Sequence, residues 1–246
     1  MDRVVRWWHL GILMGAALAG PRAGADSLSL LRPAADAYVI GDPALLDANF
    51  GFDTQIIAWA NYPYFGGRSY VAFDLPDVPA GEIVTFARLN LFQWNGGGYA
   101  SGVDVFRVAD DGWEEDGITW NDQPVLEPSA SDLIAQDPTL IGYARGWVSF
   151  DLLENGVWDP AVDLVPGDGQ LTVILRITGG EVSTQRSHNF CSREGGPTDC
   201  LIEGETGAHP GRSPQLVIGT PEPMGGAMLG AAATLWTILG RRRRVR

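Results

Sequence analysis

Lysine is absent from all 246 residues, and the positive charge comes from 17 arginines against 30 aspartates and glutamates. Eight of those arginines stand near the two ends (Arg3, Arg6, Arg22, Arg241, Arg242, Arg243, Arg244 and Arg246), with Asp2 and Glu222. Residues 26–219 therefore hold 28 acids against nine arginines, a net charge of −19. Such a surface repels phosphate backbones, which excludes nucleic acid as a partner. It also disfavours direct binding of acidic polysaccharides unless cations bridge the two.

Histidine is equally scarce, with only His188 and His209 inside residues 26–219. The sequence has no G-x-S-x-G elbow, no H-E-x-x-H and no P-loop. Acid pairs occur throughout so acidic a chain, so none stands out as a glycosidase pair. A lyase acting on an acidic glycan would want a basic groove that nine arginines do not supply. The expectation is a non-catalytic protein, with a polysaccharide-degrading enzyme as the weakest alternative. Only two cysteines occur, Cys191 and Cys200 in "CSREGGPTDC". An even count in an exported chain predicts one disulfide closing a short loop. No clustered His/Cys set stands beside the pair, which disfavours zinc.

Helical periodicity is missing between the termini. The clearest segments are strand-like: 54–60, 69–75, 85–94, 102–109, 143–152, 170–177 and 214–219, rich in Val, Ile, Leu and aromatics and bounded by Gly, Pro, Asp and Asn. Ala87, Leu89 and Leu91 share one face, as do Leu171, Val173, Leu175 and Ile177. Only 152–159 offers a turn or two of helix, weakened by Asn155-Gly156. These features predict an all-β fold, a jelly-roll-type antiparallel β-sandwich with very little helix, as one domain over residues 26–219.

Both ends read differently from the middle. Residues 1–25 combine an arginine-bearing start, an apolar stretch and Ala23-Gly24-Ala25, the pattern of a secretory signal peptide cut after Ala25. The apolar stretch is short for a spanning helix, which needs about 20 residues. At the other end, residues 220–246 hold Pro221-Glu222-Pro223, an apolar run from Met224 to Gly240 and Arg241-Arg242-Arg243-Arg244. This tail resembles a PEP-CTERM sorting signal of exopolysaccharide-producing bacteria. The resemblance implies transient insertion in the inner membrane and processing by an exosortase-type protease, leaving the domain at the cell surface or in the extracellular matrix. The arginines would hold the C-terminus in the cytoplasm. A permanent single-span anchor is the alternative, with the same spanning physics.

Within the domain, "ADAYV" (35–39), "NFG" (49–51), "RSYVAFDLPDVPAG" (68–81), Trp113-Glu114, Ile118-Thr119-Trp120-Asn121, Gln123-Pro124 and Ser192-Arg193-Glu194 occur in order. This series resembles the DNRLRE (disaggregatase-related) family of secreted β-domains. The resemblance implies a jelly-roll sandwich associated with extracellular glycans. Trp113 and Trp120 read as packing residues beside an acceptor-rich turn, and Arg193 with Glu194 as an ion pair pinning the last strand.

The ligand-binding candidates are Trp59, Tyr62, Tyr64 and Phe65 in "AWANYPYFGGRSY", with Trp94 and Tyr99 in "FQWNGGGYA". Aromatics crowded into turn-rich stretches cannot all reach the core, and exposed rings stack on sugar faces or on protein partners. For calcium, Asp36, Asn49 and Asp53 offer hard oxygen ligands near the first strand, and Asp110, Asp111, Glu114, Glu115 and Asp116 form a second acidic turn. Ordinary solvated turns are the alternative for both. The expected function is an exported carbohydrate-binding or exopolysaccharide-associated module. The alternative is a structural matrix protein that contacts other proteins without a defined glycan.

Overall fold

The computed structural model describes residues 27–61, 65–78, 83–98, 102–137, 145–164, 167–178, 186–195, 200 and 211–220. The expected signal peptide with Ala23 and Ala25, and the tail with Pro221, Glu222, Pro223 and Arg241 to Arg244, lie outside the described residues. Eleven strands are described: β1 (Ser27–Leu31), β2 (Ala35–Ile40), β3 (Gln55–Asn61), β4 (Phe65–Asp74), β5 (Phe86–Gly98), β6 (Val103–Val108), β7 (Leu133–Asp137), β8 (Gly146–Asp151), β9 (Gln170–Ile177), β10 (Arg186–Cys191) and β11 (Gln215–Thr220). The pairings among them are antiparallel. They follow the order β1-β11-β5-β10-β3-β4-β9-β6-β7, with β2 added on β4 and β8 on β5. The path curls over so that β3 packs on β9 and β7 on β8. The result is the expected jelly-roll-type β-sandwich. Among the described residues no helix is long and apolar enough to cross a membrane.

Alternation builds the interior. Ala87, Leu89 and Leu91 of β5 and Leu171, Val173, Leu175 and Ile177 of β9 are at most 1 % exposed and meet in one core with Ile56, Val71, Val105 and Phe190. Arg88 and Asn90 point the other way, as a two-residue period requires. On β9 the opposite face is buried too, because Ile174 and Thr172 are covered. The cover is the excursion between β6 and β7. Ile118, Trp113, Trp120 and Val125 form a second cluster there with Ala37, Val39, Tyr70, Phe106, Val108 and Ile174. Polar contacts hold it down. Trp113 Nε1 donates to Thr172 Oγ1 at 3.1 Å, Tyr70 Oη bonds Gln123 Oε1 at 2.9 Å and Val125 O at 2.8 Å, and the Arg68 guanidinium stacks 4.7 Å from the Trp120 ring.

β1, β2, β7 and β10 lie outside the strand-like segments read from the sequence, and the stretch 152–159 differs as well. The stretch 152–159 forms turns rather than helix, since Gly156 adopts φ 62°. A single helical turn, α1 (Pro160–Asp163), follows it, with Asp159 as N-cap and Pro160 in the first turn. β10, "RSHNFC", carries no strong apolar alternation because its inward His188 is polar and bonds Gln93 Oε1 at 3.2 Å.

Candidate functional site

The excursion buries the outer face of β2-β4-β9-β6, which leaves the outer face of the other sheet as the place for exposed aromatics. On β3, Ala58 and Ala60 face the core, so Ile57 and Trp59 face out. Trp59 pairs with Ser187, Ile57 with Asn189 and Gln55 with Cys191, which places those β10 residues on the same outer face. Phe65 meets Trp59 edge-to-face at 5.3 Å across the β3–β4 hairpin. On β5, inward Leu91 and Gln93 leave Phe92 facing out. The pairing steps from Asn189–Asn95 to Phe190–Gln93, so Trp94 is the extra residue of a β-bulge and turns outward beside Phe92.

β8 completes the row. Trp147 pairs with Phe92, stands edge-to-face on it at 5.5 Å and is 47 % exposed. From Trp59 to Trp147 the face crosses three strand spacings, about 14 Å laterally. Polar groups lie between the rings. Asn189 Nδ2 donates to Gln55 Oε1 at 3.4 Å, and Ser149 Oγ donates to Asn90 Oδ1 at 2.7 Å. Cys191 and Cys200 are joined, with Cα atoms 5.9 Å apart, and the bridge packs against Phe92 and Trp94 on this same face, which leaves Phe92 only 4 % exposed. Arg212 covers Phe92 from the other side at 4.3 Å. Rings in a row with amides and hydroxyls between them suit a ligand with apolar faces and a hydroxylated rim.

Of the aromatic candidates, the structure thus brings Trp59, Phe65 and Trp94 to one sheet face, while Tyr62, Tyr64 and Tyr99 lie outside the described residues. Trp147 was missed in the sequence. The signal was present, since Phe150 and Leu152 alternate inward and leave Trp147, Ser149 and Asp151 outward.

Of the calcium candidates, Asn49 and Asp53 have hydrogen-bond partners of their own. Asn49 Nδ2 donates to the carbonyls of Glu115 and Ile118, both at 2.8 Å, and its Oδ1 accepts from Gly51 N. Asp53 accepts the Tyr38 hydroxyl at 2.8 Å, and burial first, then Asp53, raises the Tyr38 pKa far above its ordinary value. Short polar side chains in turns satisfy nearby backbone and hydroxyl groups first. Asp36 instead meets Glu115 and Glu194, with one oxygen from each carboxylate within 4.8 Å of the others. Burial raises the Asp36 pKa well above the usual carboxylate range, the Arg193 backbone N–H opposes this, and the Glu194 and Glu115 charges add to the rise. Glu115 is raised as well, chiefly by burial.

A separate open groove of about 450 Å³ lies in the acidic turn, lined by Asp110, Trp113, Glu114, Asp122, Gln123 and Pro124 among others. It is rimmed by carboxylates, and the Trp113 indole N–H is taken by Thr172.

Residues 27–153 match the family model of carbohydrate-binding module family 96. The chain belongs to carbohydrate-binding module family 96. No curated protein matches it. The family-96 match runs from β1 to just beyond β8, so it contains Asp36, Trp59, Phe65, Phe92, Trp94, Glu115 and Trp147. β9, β10 and β11, with the disulfide, Arg193 and Glu194, follow the matched stretch yet complete the same sandwich. Membership gives carbohydrate as the class of partner.

Proposed function

We propose that this protein is an exported, non-catalytic polysaccharide-binding module whose ligand lies along the outer face of β8-β5-β10-β3. The row formed by Trp59 with Phe65, Trp94 with Phe92, and Trp147 carries this reading, because the opposite outer face is buried under Trp113 and Trp120. Trp59 and Trp147 supply stacking surfaces, and Gln55, Asn189, Asn90 and Ser149 supply hydrogen bonds to hydroxyls. The resemblance to DNRLRE domains and the PEP-CTERM-like tail support placement at the cell surface or in an exopolysaccharide matrix after exosortase-type processing.

The test is affinity electrophoresis of the full chain through gels holding neutral or acidic polysaccharides, with Trp59→Ala and Trp147→Ala beside it. Retardation by at least one glycan that both substitutions weaken supports the reading. Retardation that both variants retain moves the ligand off this face.

One observation favours a second reading, a matrix protein that contacts other proteins. Edge strand β1 pairs with β11 and exposes Leu28 at 66 % and Leu30 at 58 %. An apolar edge strand invites pairing with another chain. Concentration-dependent self-association abolished by Leu28→Lys, with no glycan retardation, would establish it.

A further inference from the structure

Three segments remote in sequence meet at one point. Asp36 opens β2, Glu115 sits in the acidic turn after β6, and Glu194 follows β10. The meeting is built rather than incidental. Asp36 N donates to Glu115 Oε1 at 2.8 Å, and Arg193 N donates to Asp36 Oδ2 at 2.8 Å. The Arg193 side chain bridges Glu194 Oε1 at 2.5 Å and Glu115 Oε2 at 2.6 Å. The Glu115 backbone is fixed from below. Asn49 binds its carbonyl, and a Cβ on Gly51 would lie 2.0 Å from that oxygen, so only glycine permits the approach.

These contacts leave two oxygens unused. Asp36 is 1 % exposed and its Oδ1 has no hydrogen-bond partner, and Glu194 Oε2 is likewise buried and unpartnered. Buried polar atoms without partners are rare, and anionic oxygens are the most costly of them. Three carboxylates and one guanidinium carry a net charge of −2, which one divalent cation cancels. Oxygens that ligate one calcium ion at about 2.3–2.6 Å lie no more than about 5 Å apart, and the three carboxylates meet that limit at 4.8 Å. Calcium also tolerates an irregular shell in which a guanidinium occupies one side and water the rest, whereas magnesium demands near-octahedral order.

We propose that Asp36, Glu115 and Glu194 form a binding site for one calcium ion that clamps β2, the excursion over the second sheet and the segment after β10. The proposal does not depend on a glycan being bound at the aromatic face. Asn49 and Gly51 act as positioning residues through the Glu115 backbone.

The experiment is calorimetric titration of the chelator-treated full chain with calcium chloride, with a thermal melt at each calcium concentration. The expected result is one saturable site per chain and a melting temperature that rises with calcium by mass action. Glu194→Gln keeps the fold, since Glu194 is partly exposed and its amide still accepts from Arg193, and it is expected to weaken calcium at least tenfold. Glu114→Gln, in the same acidic turn but outside the set, is expected to bind like the parent. Folded parent chain without saturable binding up to about 10 mM calcium, above the range of extracellular calcium modules, overturns the proposal. Equal affinity in the Glu194→Gln variant also overturns it, by placing the ion elsewhere on the acidic surface.

Discussion

Arg193 Nη2 lies 2.6 Å from Glu115 Oε2, across 78 positions of sequence. This ion pair joins the segment after β10 to the excursion that buries the outer face of the second sheet. It belongs to a larger polar knot that Asp36, Glu194 and the Arg193 backbone N–H share.

Replacing Arg193 with Met removes the only cation facing those three carboxylates among the described residues. The side chain is partly exposed, so solvent screens part of the loss. Urea denaturation in chelator should show a decrease of about 1–3 kcal/mol, the range for stripping a partner from a desolvated polar group. Saturating calcium should recover part of it.

The two sheets predict opposite phenotypes for tryptophan. Trp147→Ala should weaken glycan retardation about tenfold or more, equivalent to at least about 1.4 kcal/mol, with the melting temperature unchanged. Trp113→Ala should leave glycan contacts in place and destabilise the fold by about 3 kcal/mol, as large-to-small changes in packed clusters do. If Trp113→Ala instead removes binding from a chain of unaltered stability, the groove beside it is the ligand site.

Asp163 is 1 % exposed, accepts the Trp158 indole N–H at 2.7 Å and is bonded by two Arg107 nitrogens. Asp163→Ala leaves both donors without their acceptor. Chemical denaturation should register a loss of about 3–5 kcal/mol.

The Cys191–Cys200 bridge closes a loop of nine positions and packs against Phe92 and Trp94. Cys191→Ser with Cys200→Ser should lower stability by about 2–3 kcal/mol. It should also weaken glycan retardation, because the rings lose their support. Unchanged affinity in the double variant would show that this part of the face does not contact ligand.

Burial, with the charges of Asp168 and Asp163 adding to it, raises the Asp111 pKa above the ordinary carboxylate value. A carboxyl with a raised folded pKa favours the fold when protonated and opposes it when ionised. Its unfavourable contribution is therefore full above the folded pKa and disappears as pH falls to the ordinary carboxylate range. Asp111→Asn should be more stable than the parent at neutral pH. The gap should narrow steadily on acidification, which melts at successive pH values would follow.

The sequence by itself determined the sandwich, because alternation is local. Leu89 and Leu91 face in and Arg88 and Asn90 face out wherever β5 lies, and the same rule turns Trp59 outward beside Ala58 and Ala60. The packing role of Trp113 and Trp120 was legible for a similar reason, since an acceptor-rich turn next to two indoles describes a lid. Periodicity says which side of a strand a residue takes and nothing about which strands become neighbours. Only the tertiary structure placed Trp147 against Phe92, through the pairing of β8 with β5. Only it brought Glu115 and Glu194 to Asp36. Those contacts span 79 and 158 positions, and they arise because β2, the excursion and the segment after β10 converge once the sheet has curled. Short polar residues close in sequence were free to satisfy their own turns, so the charges that needed company found it across the fold.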